Sequence, residues 1–578
     1  MPKLVSHKFK GIGASSGIAI AKVFKLVEQK IEISDTKISN IDAEIAILRN
    51  GIAKSVTQIE KIKKLATKLS SDELEILDAH ISIATDPVLE EDAIELIKQG
   101  FSAAYSLKET AKNHSNVLLE TGDEYLMARC ADIKDASQRI IKNILNLNIV
   151  DLTTIDSDVI IVADDLKPSD TAQLNHFVKG FATNIGSKTS HSAIMARSLE
   201  IPAVLGIGDI LEKVETGDIL AINGDSGEGI INPSQVEIAD FQSQKEKFVL
   251  EQQKLQAFLT KESITADNKK VVIAANIGSV DDSHAAKKVN ADEIGLFRSE
   301  FLYMDNQNWP SEEEQFQSYK AVLENQKPKK VVVRTLDIGG DKTLSYYNFA
   351  KEMNPFLGYR AIRLSLDKVE IFKTQLRALV RASEFGNLAI MFPMVATLDE
   401  FFAAKKIFEE VYQEIAAKNT KIAKRNEIKI GIMIEIPVAA VMSEQFARHV
   451  DFFSIGTNDL IQYSFAADRM NERVSYLYQT LNPGLLKLIK MTIDSAHKHK
   501  KWVGMCGEMA GDVNAIPLLL GLGLDEFSVS ASSILKVKKM ISELEFNKME
   551  KIANKVLEFE SEDEVVKYLE SLDLIRHN

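Results

Sequence analysis

Apolar residues along this chain recur with two different periods, and each change of period marks a change of structure. After a Gly-rich turn, G-I-G-A-S-S-G, the run I-A-I-A-K-V-F-K-L predicts a strand. From Ile33 to about Leu145 strand signals vanish and apolar residues fall at helical spacing, as at Ile41, Ile45, Leu48 and Ile52. Breaks near Gly51, Ser70-Ser71, Pro87, Gly100 and Gly122 divide this stretch into a helical hairpin pair or bundle. Strand texture resumes in D-V-I-I-V-A-D-D-L, V-K-G-F-A-T-N-I-G, P-A-V-L-G, D-I-L-A-I-N-G-D and G-I-I-N-P. The pattern predicts an α/β domain split by the helical segment, since insertion at an exposed loop is tolerated. A Gln- and Lys-rich stretch from Pro233 to about Lys261, without internal Gly or Pro, predicts one connecting helix.

Eight apolar strand candidates follow, near residues 271, 293, 331, 388, 428, 452, 502 and 526, with helix-patterned segments between them. Eight β/α units in about 300 residues predict a closed (β/α)₈ barrel.

Length and composition narrow the class. At 578 residues the chain exceeds one core, and about three or four domains is the size expectation. No apolar run reaches the ~20 residues of a spanning helix, and the N-terminus lacks the apolar core of a signal peptide. Cys130 and Cys506 cannot build a disulfide framework, and neither lies in a C-x-x-C pair, so a cytoplasmic setting is expected. A net charge of −13 argues against a nucleic-acid partner. From Ser70 to Glu95 there are nine acidic residues and no Lys or Arg. That run suits attraction of a basic protein, and equally suits a solvated helix face.

The chemistry-bearing residues fall in two places. In I-G-S-K-T-S-H-S-A-I-M-A-R-S-L, Gly186 to Ser190 read as a loop and Ser192 to Leu199 as a helix, so His191 stands at a helix start. Free N–H groups and the dipole there favour an anion, which suits a histidine that carries a phosphoryl group. Alone, the segment also fits a capped helix with a solvent-facing histidine.

The second place is the carboxyl end of the barrel strands, where barrel active sites form. Arg298, Arg334, Asp337, Glu435, Asn458, Asp459, Cys506 and Glu508 fall there, with Arg469 just beyond. Arginine forks suit a phosphate, two carboxylates suit Mg²⁺, and a thiol can pass a proton to a carbanion-like centre. Alone, a strand-end Arg also suits a salt bridge and Cys506 a small core residue. Glu435 in an apolar strand demands a counterpart.

Long segments resemble the enzyme I family of the bacterial phosphoenolpyruvate:sugar phosphotransferase system. They include G-I-G-A-S-S-G-I-A-I-A-K-V, A-D-I-K-D-A-S-Q-R, T-S-H-S-A-I-M-A-R-S-L-E-I-P-A-V-L-G, G-L-F-R-S-E-F-L-Y-M-D, R-T-L-D-I-G-G-D-K, N-P-F-L-G-Y-R-A-I-R, G-T-N-D-L-I-Q-Y and W-V-G-M-C-G-E-M-A-G-D. The resemblance implies a phosphohistidine domain at 1–25 and 146–232, an inserted all-α domain at 26–145 that docks the carrier protein HPr, a linker helix at 233–261, and a phosphoenolpyruvate-binding, homodimer-forming barrel at 262–574. It implies phosphorylation of His191 at Nε2, phosphoenolpyruvate held by Arg298, Arg334, Arg469, Asn458 and Asp459, Mg²⁺ on Glu435 and Asp459, and Cys506 as proton donor.

Two departures are visible. Where the family loop usually reads G-G-R-T-S-H, Ser187 and Lys188 replace the second Gly and the Arg, and Thr480 stands where Pro usually follows Y-L-Y-Q. Lys keeps the charge but not the bidentate fork.

Three rivals remain. A dikinase or synthase of the superfamily needs an ATP-binding domain, and no G-x-x-x-x-G-K-[ST] loop is present. The nitrogen-linked paralogue, which phosphorylates a regulatory HPr-like protein, usually carries an added N-terminal sensory domain, whereas here the family pattern begins at Gly11. A non-catalytic scaffold predicts erosion of the rim residues, all of which are present.

Overall fold

Period-2 alternation in the first and middle parts of the chain resolves into one eight-stranded sheet. The computed structural model describes all residues except 1–5, 28–32, 34–36, 66–70, 121–123, 148–151, 167, 172, 188, 189, 200, 305, 307, 341, 343, 345, 348, 419, 470 and 576–578. Two compact units divide the chain, Met1–Gln252 and Gln253–Asn578.

In the first unit the strands are β1 (His7–Lys10), β2 (Ile12–Ser15), β3 (Ile18–Leu26), β4 (Val159–Ala163), β5 (Val178–Thr183), β6 (Ala203–Leu205), β7 (Ile219–Asn223) and β8 (Glu228–Ile231). Their order is β1-β8-β7-β3-β4-β5-β6-β2, with β3 to β6 parallel and the outer pairs antiparallel. Every residue of β4 is buried, as a central strand covered on both faces requires. Part of the G-I-G-A-S-S-G segment, expected as a turn, is instead β2, pairing with β6.

Among the described residues, five α-helices lie between β3 and β4, Ile41–Leu65, Ser71–Ala84, Pro87–Lys98, Ala103–Glu120 and Glu124–Ile144. Their shared core includes Leu48, Leu89, Ala93, Ile97, Leu107 and Ile140. The break expected at Gly51 is absent, because the first helix runs straight through it. A Cβ at Gly51 would stand 2.6 Å from Ile144 Cγ1 and 3.3 Å from the Ile140 carbonyl oxygen, so this glycine serves close helix approach. The break at Gly122 lies outside the described residues, as does Ser70. Within the acidic run, Asp78 pairs with Lys63, Glu90 with Arg49 at 2.8 Å and Asp92 with His114 at 2.7 Å. The helix after Pro233 spans Gln235–Gln256 and stops short of Lys261 in a turn whose Phe258 and Leu259 pack on the barrel core.

In the second unit all eight expected strands close into a parallel barrel. They are β9 (Val272–Ile277), β10 (Ile294–Arg298), β11 (Lys330–Arg334), β12 (Asn387–Phe392), β13 (Lys429–Ile434), β14 (Phe452–Ile455), β15 (Trp502–Met505) and β16 (Glu526–Val529). Residues such as Val331, Val333, Ile432 and Phe453 belong to the layer between strands and helices. Leu296, Val332, Ala389, Met391, Met433 and Phe452 form a separate cluster with Cys506, the packed barrel interior. The multidomain α/β architecture with a TIM-type barrel is therefore what this sequence builds.

The helix contact at Gly51 yields a measurable expectation. Gly51→Leu improves intrinsic helix propensity by up to about 1 kcal/mol, yet forces a side chain into Ile140 and Ile144 at a cost of roughly 1–3 kcal/mol. The variant should unfold at lower urea concentration than the parent, read from helical circular dichroism of the whole chain.

Candidate active site

Strand pleating decides which residues reach the barrel interior at its carboxyl end. Two residues beyond the interior positions Leu296, Val332 and Met433, the pleat returns to the same side, and those positions hold Arg298, Arg334 and Glu435. From β14 the chain passes Gly456 into the helix Thr457–Phe465, whose first turn carries Asn458 and Asp459. Arg469 follows that helix, and its backbone N–H donates to Gln462 Oε1 at 3.2 Å. Arg298, Arg334, Glu435, Asn458, Asp459, Arg469 and Cys506 all line one cavity of about 600 Å³.

The wall also holds Asn276, Glu300, Lys342 and Arg360, none of which the sequence reading singled out. Arg334 pairs with Glu300 and, at 3.0 Å, with Asp337. Lys342 bridges Glu300 at 3.0 Å and Asp337 at 3.2 Å. Arg360 completes the set, 3.0 Å from Asp337 and 3.8 Å from Asp459. Burial alone would raise the Glu300 and Asp337 carboxyls, but Arg334 and Lys342, with Arg360 at Asp337, hold both below the usual range. Gly339 makes room for Arg360: it takes φ +108°, and a Cβ there would lie 2.6 Å from Arg360 Cβ. The paired glycines of D-I-G-G-D-K were thus the available signal. For Asn276 the signal was an amide inside an apolar strand; its Nδ2 donates to the Cys506 and Ser528 carbonyls at 3.1 and 3.0 Å.

Opposite chemistry surrounds Glu435. It is 1% exposed, and its Oε1 accepts from the Met394 backbone N–H at 2.5 Å. Met394 adopts φ +55°, a left-handed conformation that a non-glycine residue adopts only under constraint. Burial, then the charges of Asp459 and Asp337, push the Glu435 carboxyl up to about 8. Asp459 Oδ1 is buried and has no hydrogen-bond partner among the described residues. Two hard carboxylates, one raised by the other and one with an idle oxygen, fit a divalent cation. Among the described residues no group of three or more His, Cys, Asp or Glu could hold an ion alone, so the remaining ligands would be substrate and water oxygens.

Two further groups complete the cavity. Burial pushes the Cys506 thiol up to about 11, so it stays protonated at neutral pH. Arg298 Nε is buried without a hydrogen-bond partner among the described residues, and its guanidinium carbon stands 5.7 Å from the Phe301 ring centroid.

His191 lies in the other unit, at the first position of the helix His191–Ser198. Ser190 caps that helix, accepting from the Ala193 N–H at 3.4 Å while its hydroxyl donates to the Ser187 carbonyl at 2.9 Å. Ser192 Oγ donates to Asp165 Oδ1 at 2.6 Å, which ties the helix start to the loop after β4. The His191 imidazole is not among the described side chains, and Lys188 lies outside the described residues. Thr480 sits in the turn ahead of the helix Pro483–Lys498.

Comparison with known proteins gives matches over both units. Residues 10–129 match the PEP-utilising enzyme N-terminal family, 155–227 its mobile domain and 252–546 its PEP-binding domain. The chain is 52% identical over 569 residues to the phosphoenolpyruvate-protein phosphotransferase of Mycoplasma capricolum subsp. capricolum, covering 98% of this chain and 99% of the relative. It is 49% identical over 569 residues to that of Staphylococcus carnosus, with the same coverage. A solution structure described as Enzyme I (nEIt) is 39% identical, with a TM-score of 0.40, covering 42% of this chain and 99% of its own.

The raised Glu435 carboxyl links stability to pH. The folded chain retains a proton that the unfolded chain surrenders near the ordinary 4.5, so stability falls as pH rises from about 4.5 to about 8. In metal-free protein, Glu435→Gln should remove most of that decline, a gain of roughly 3–5 kcal/mol at pH 8.5 and little at pH 4.5. A divalent cation should raise the melting temperature of the parent at pH 8.5 and not that of the variant. Calorimetry at the two pH values reads both effects.

Proposed function

The chain belongs to the phosphoenolpyruvate-protein phosphotransferase family, and on that premise we propose how its residues divide the work. The protein is an enzyme that moves the phosphoryl group of phosphoenolpyruvate to a protein acceptor, as the first step of a phosphotransferase system. Arg298, Arg334 and Arg469 hold the phosphate and carboxylate of phosphoenolpyruvate, with Asn458 and Asp459 completing the contact. His191 attacks phosphorus through Nε2. The ester P–O bond breaks as the P–N bond forms, and the leaving group is pyruvate enolate. Cys506 gives its thiol proton to the methylene carbon of that enolate, and water returns a proton to the thiolate.

The family uses a divalent metal, and Glu435 and Asp459 would hold it, as Mg²⁺, where it would neutralise phosphoryl charge. Phospho-His191 then passes its cargo to a histidine of HPr, docked on the helical segment 26–145. His191 and the cavity belong to different units, so the proposal requires the domain at 1–25 and 146–232 to move on the linker at 233–261 between the two transfers. The barrel at 262–574 would form the homodimer, and the enzyme would work in the cytoplasm.

The observation that carries this reading is the single cavity. Nine residues placed near strand ends from sequence share its wall, among them arginines for an anion and a thiol that stays protonated at neutral pH. No described helix is long and apolar enough to cross a membrane.

Two measurements test the assignments. His191→Ala should take up no label from phosphoryl-labelled phosphoenolpyruvate, and normal uptake would refute the role given to this histidine. Cys506→Ala should release pyruvate about 10²–10⁴-fold more slowly while pre-formed phospho-His191 still transfers to HPr at the parental rate. Equal slowing of both half-reactions would remove Cys506 from proton transfer.

A further inference from the structure

Behind the cavity wall a buried chain of polar groups closes on β11. At Arg334 this strand leaves the sheet: the Thr335 N–H still donates to the Met391 carbonyl at 2.9 Å, but the next N–H, on Leu336, is received by a side chain, Gln375 Oε1, at 2.9 Å. Gln375 lies on the helix Val369–Ala382 and is fully buried. Its Nε2 donates to Ser299 Oγ at 3.0 Å, and the Ser299 hydroxyl donates to the Arg334 carbonyl at 2.6 Å. The ring therefore begins and ends on the same strand end, two residues apart.

Its direction is fixed by chemistry. A backbone N–H can only donate, so the amide oxygen of Gln375 faces Leu336 and its nitrogen faces Ser299. Ser299 has one proton, and it goes to the Arg334 carbonyl. The second hydrogen of Gln375 Nε2 goes to Tyr319 Oη at 3.0 Å, and Tyr319 donates onward to Gln315 Oε1 at 3.2 Å. Burial raises the Tyr319 hydroxyl well above its ordinary value, so it remains a donor. Every member of the ring is buried, and none of Ser299, Gln375, Tyr319 and Gln315 lines the cavity.

We infer that Gln375 and Ser299 are positioning residues for phosphoenolpyruvate binding. They clamp the backbone on both sides of Thr335 and thereby aim the Arg334 guanidinium and the Asp337 carboxylate that pairs with it. This rests on the reading that Arg334 holds the substrate. Where the ladder of β11 ends, the chain would otherwise be free to tilt, and a displacement of about 1 Å in a substrate-holding group can cost 10²-fold in rate.

The test is a double-mutant cycle on the intact chain. Gln375→Met keeps volume and removes all three bonds; Ser299→Ala opens the ring at its other member. Each is made alone and in the Arg334→Lys background, with kcat and KM measured for phosphoenolpyruvate and for HPr. Either variant alone should lower kcat/KM for phosphoenolpyruvate by about 10-fold or more, leave the KM for HPr unchanged, and cost less than about 2-fold further when Arg334 is already replaced. Parental kinetics in a folded Gln375→Met enzyme would overturn the inference, as would equal losses in both backgrounds. Should Gln375→Met fail to fold, Ser299→Ala carries the same two outcomes. If Arg334→Lys by itself leaves kcat/KM for phosphoenolpyruvate unchanged, the reading of Arg334 falls first and the clamp falls with it, by a separately visible result.

Discussion

Cations must be kept out of water without their ligand, and the barrel end is organised around that constraint. Arg334 and Arg360 are 6% and 2% exposed, where an unpaired guanidinium would cost several kcal/mol. Asp337 sits among Arg334, Lys342 and Arg360 and serves all three, while Glu300 serves Arg334 and Lys342. Within this cluster, three cations against two carboxylates leave one net positive charge, a bias toward a phosphate. Next to it the character reverses, since Glu435 and Asp459 crowd negative charge into a buried space that Arg360 borders, 3.8 Å from Asp459. A bound anion and a bound cation would each find the charge they need already fixed.

The helix carrying His191 solves a smaller version of the same problem. Its start is capped by Ser190 and tied down through Ser192 to Asp165, while Arg197 in its last turn donates to the Ala14 carbonyl at 3.1 Å, so the frame of the proposed acceptor is set by hydroxyls, one carboxylate and one guanidinium at the far end of the helix. The domain proposed as acceptor supplies a helix terminus and a histidine, which would suit a group that must give its cargo up again.

Most of this was legible in sequence wherever chemistry and strand pleat coincide. Arg298, Arg334 and Glu435 follow interior residues by two positions, so reading the strand reads the site. Arg360 and Lys342 escaped because they come from irregular segments, where no period tells which way a side chain points; the glycines at 339 and 340 were the surviving trace. Gly51 misled for the opposite reason, as a glycine in a helical pattern can mark contact with a neighbouring helix as well as a break. The Gln375–Ser299 ring left no trace, because a buried glutamine in an apolar stripe is indistinguishable by pattern from a boundary residue.

Strands β3 and β4 are parallel neighbours, with Lys22 beside Val159 and Leu26 beside Ala163, although residues 27–158 separate them. The chain leaves β3 at its carboxyl end and must return to the amino end of β4, so the five helices occupy the topological place of the single crossover helix in a βαβ unit. The module is in that sense an overgrown crossover. A shortened relative lacking it could not join the two strands by a hairpin and would need a bridging segment of at least about 10–12 residues.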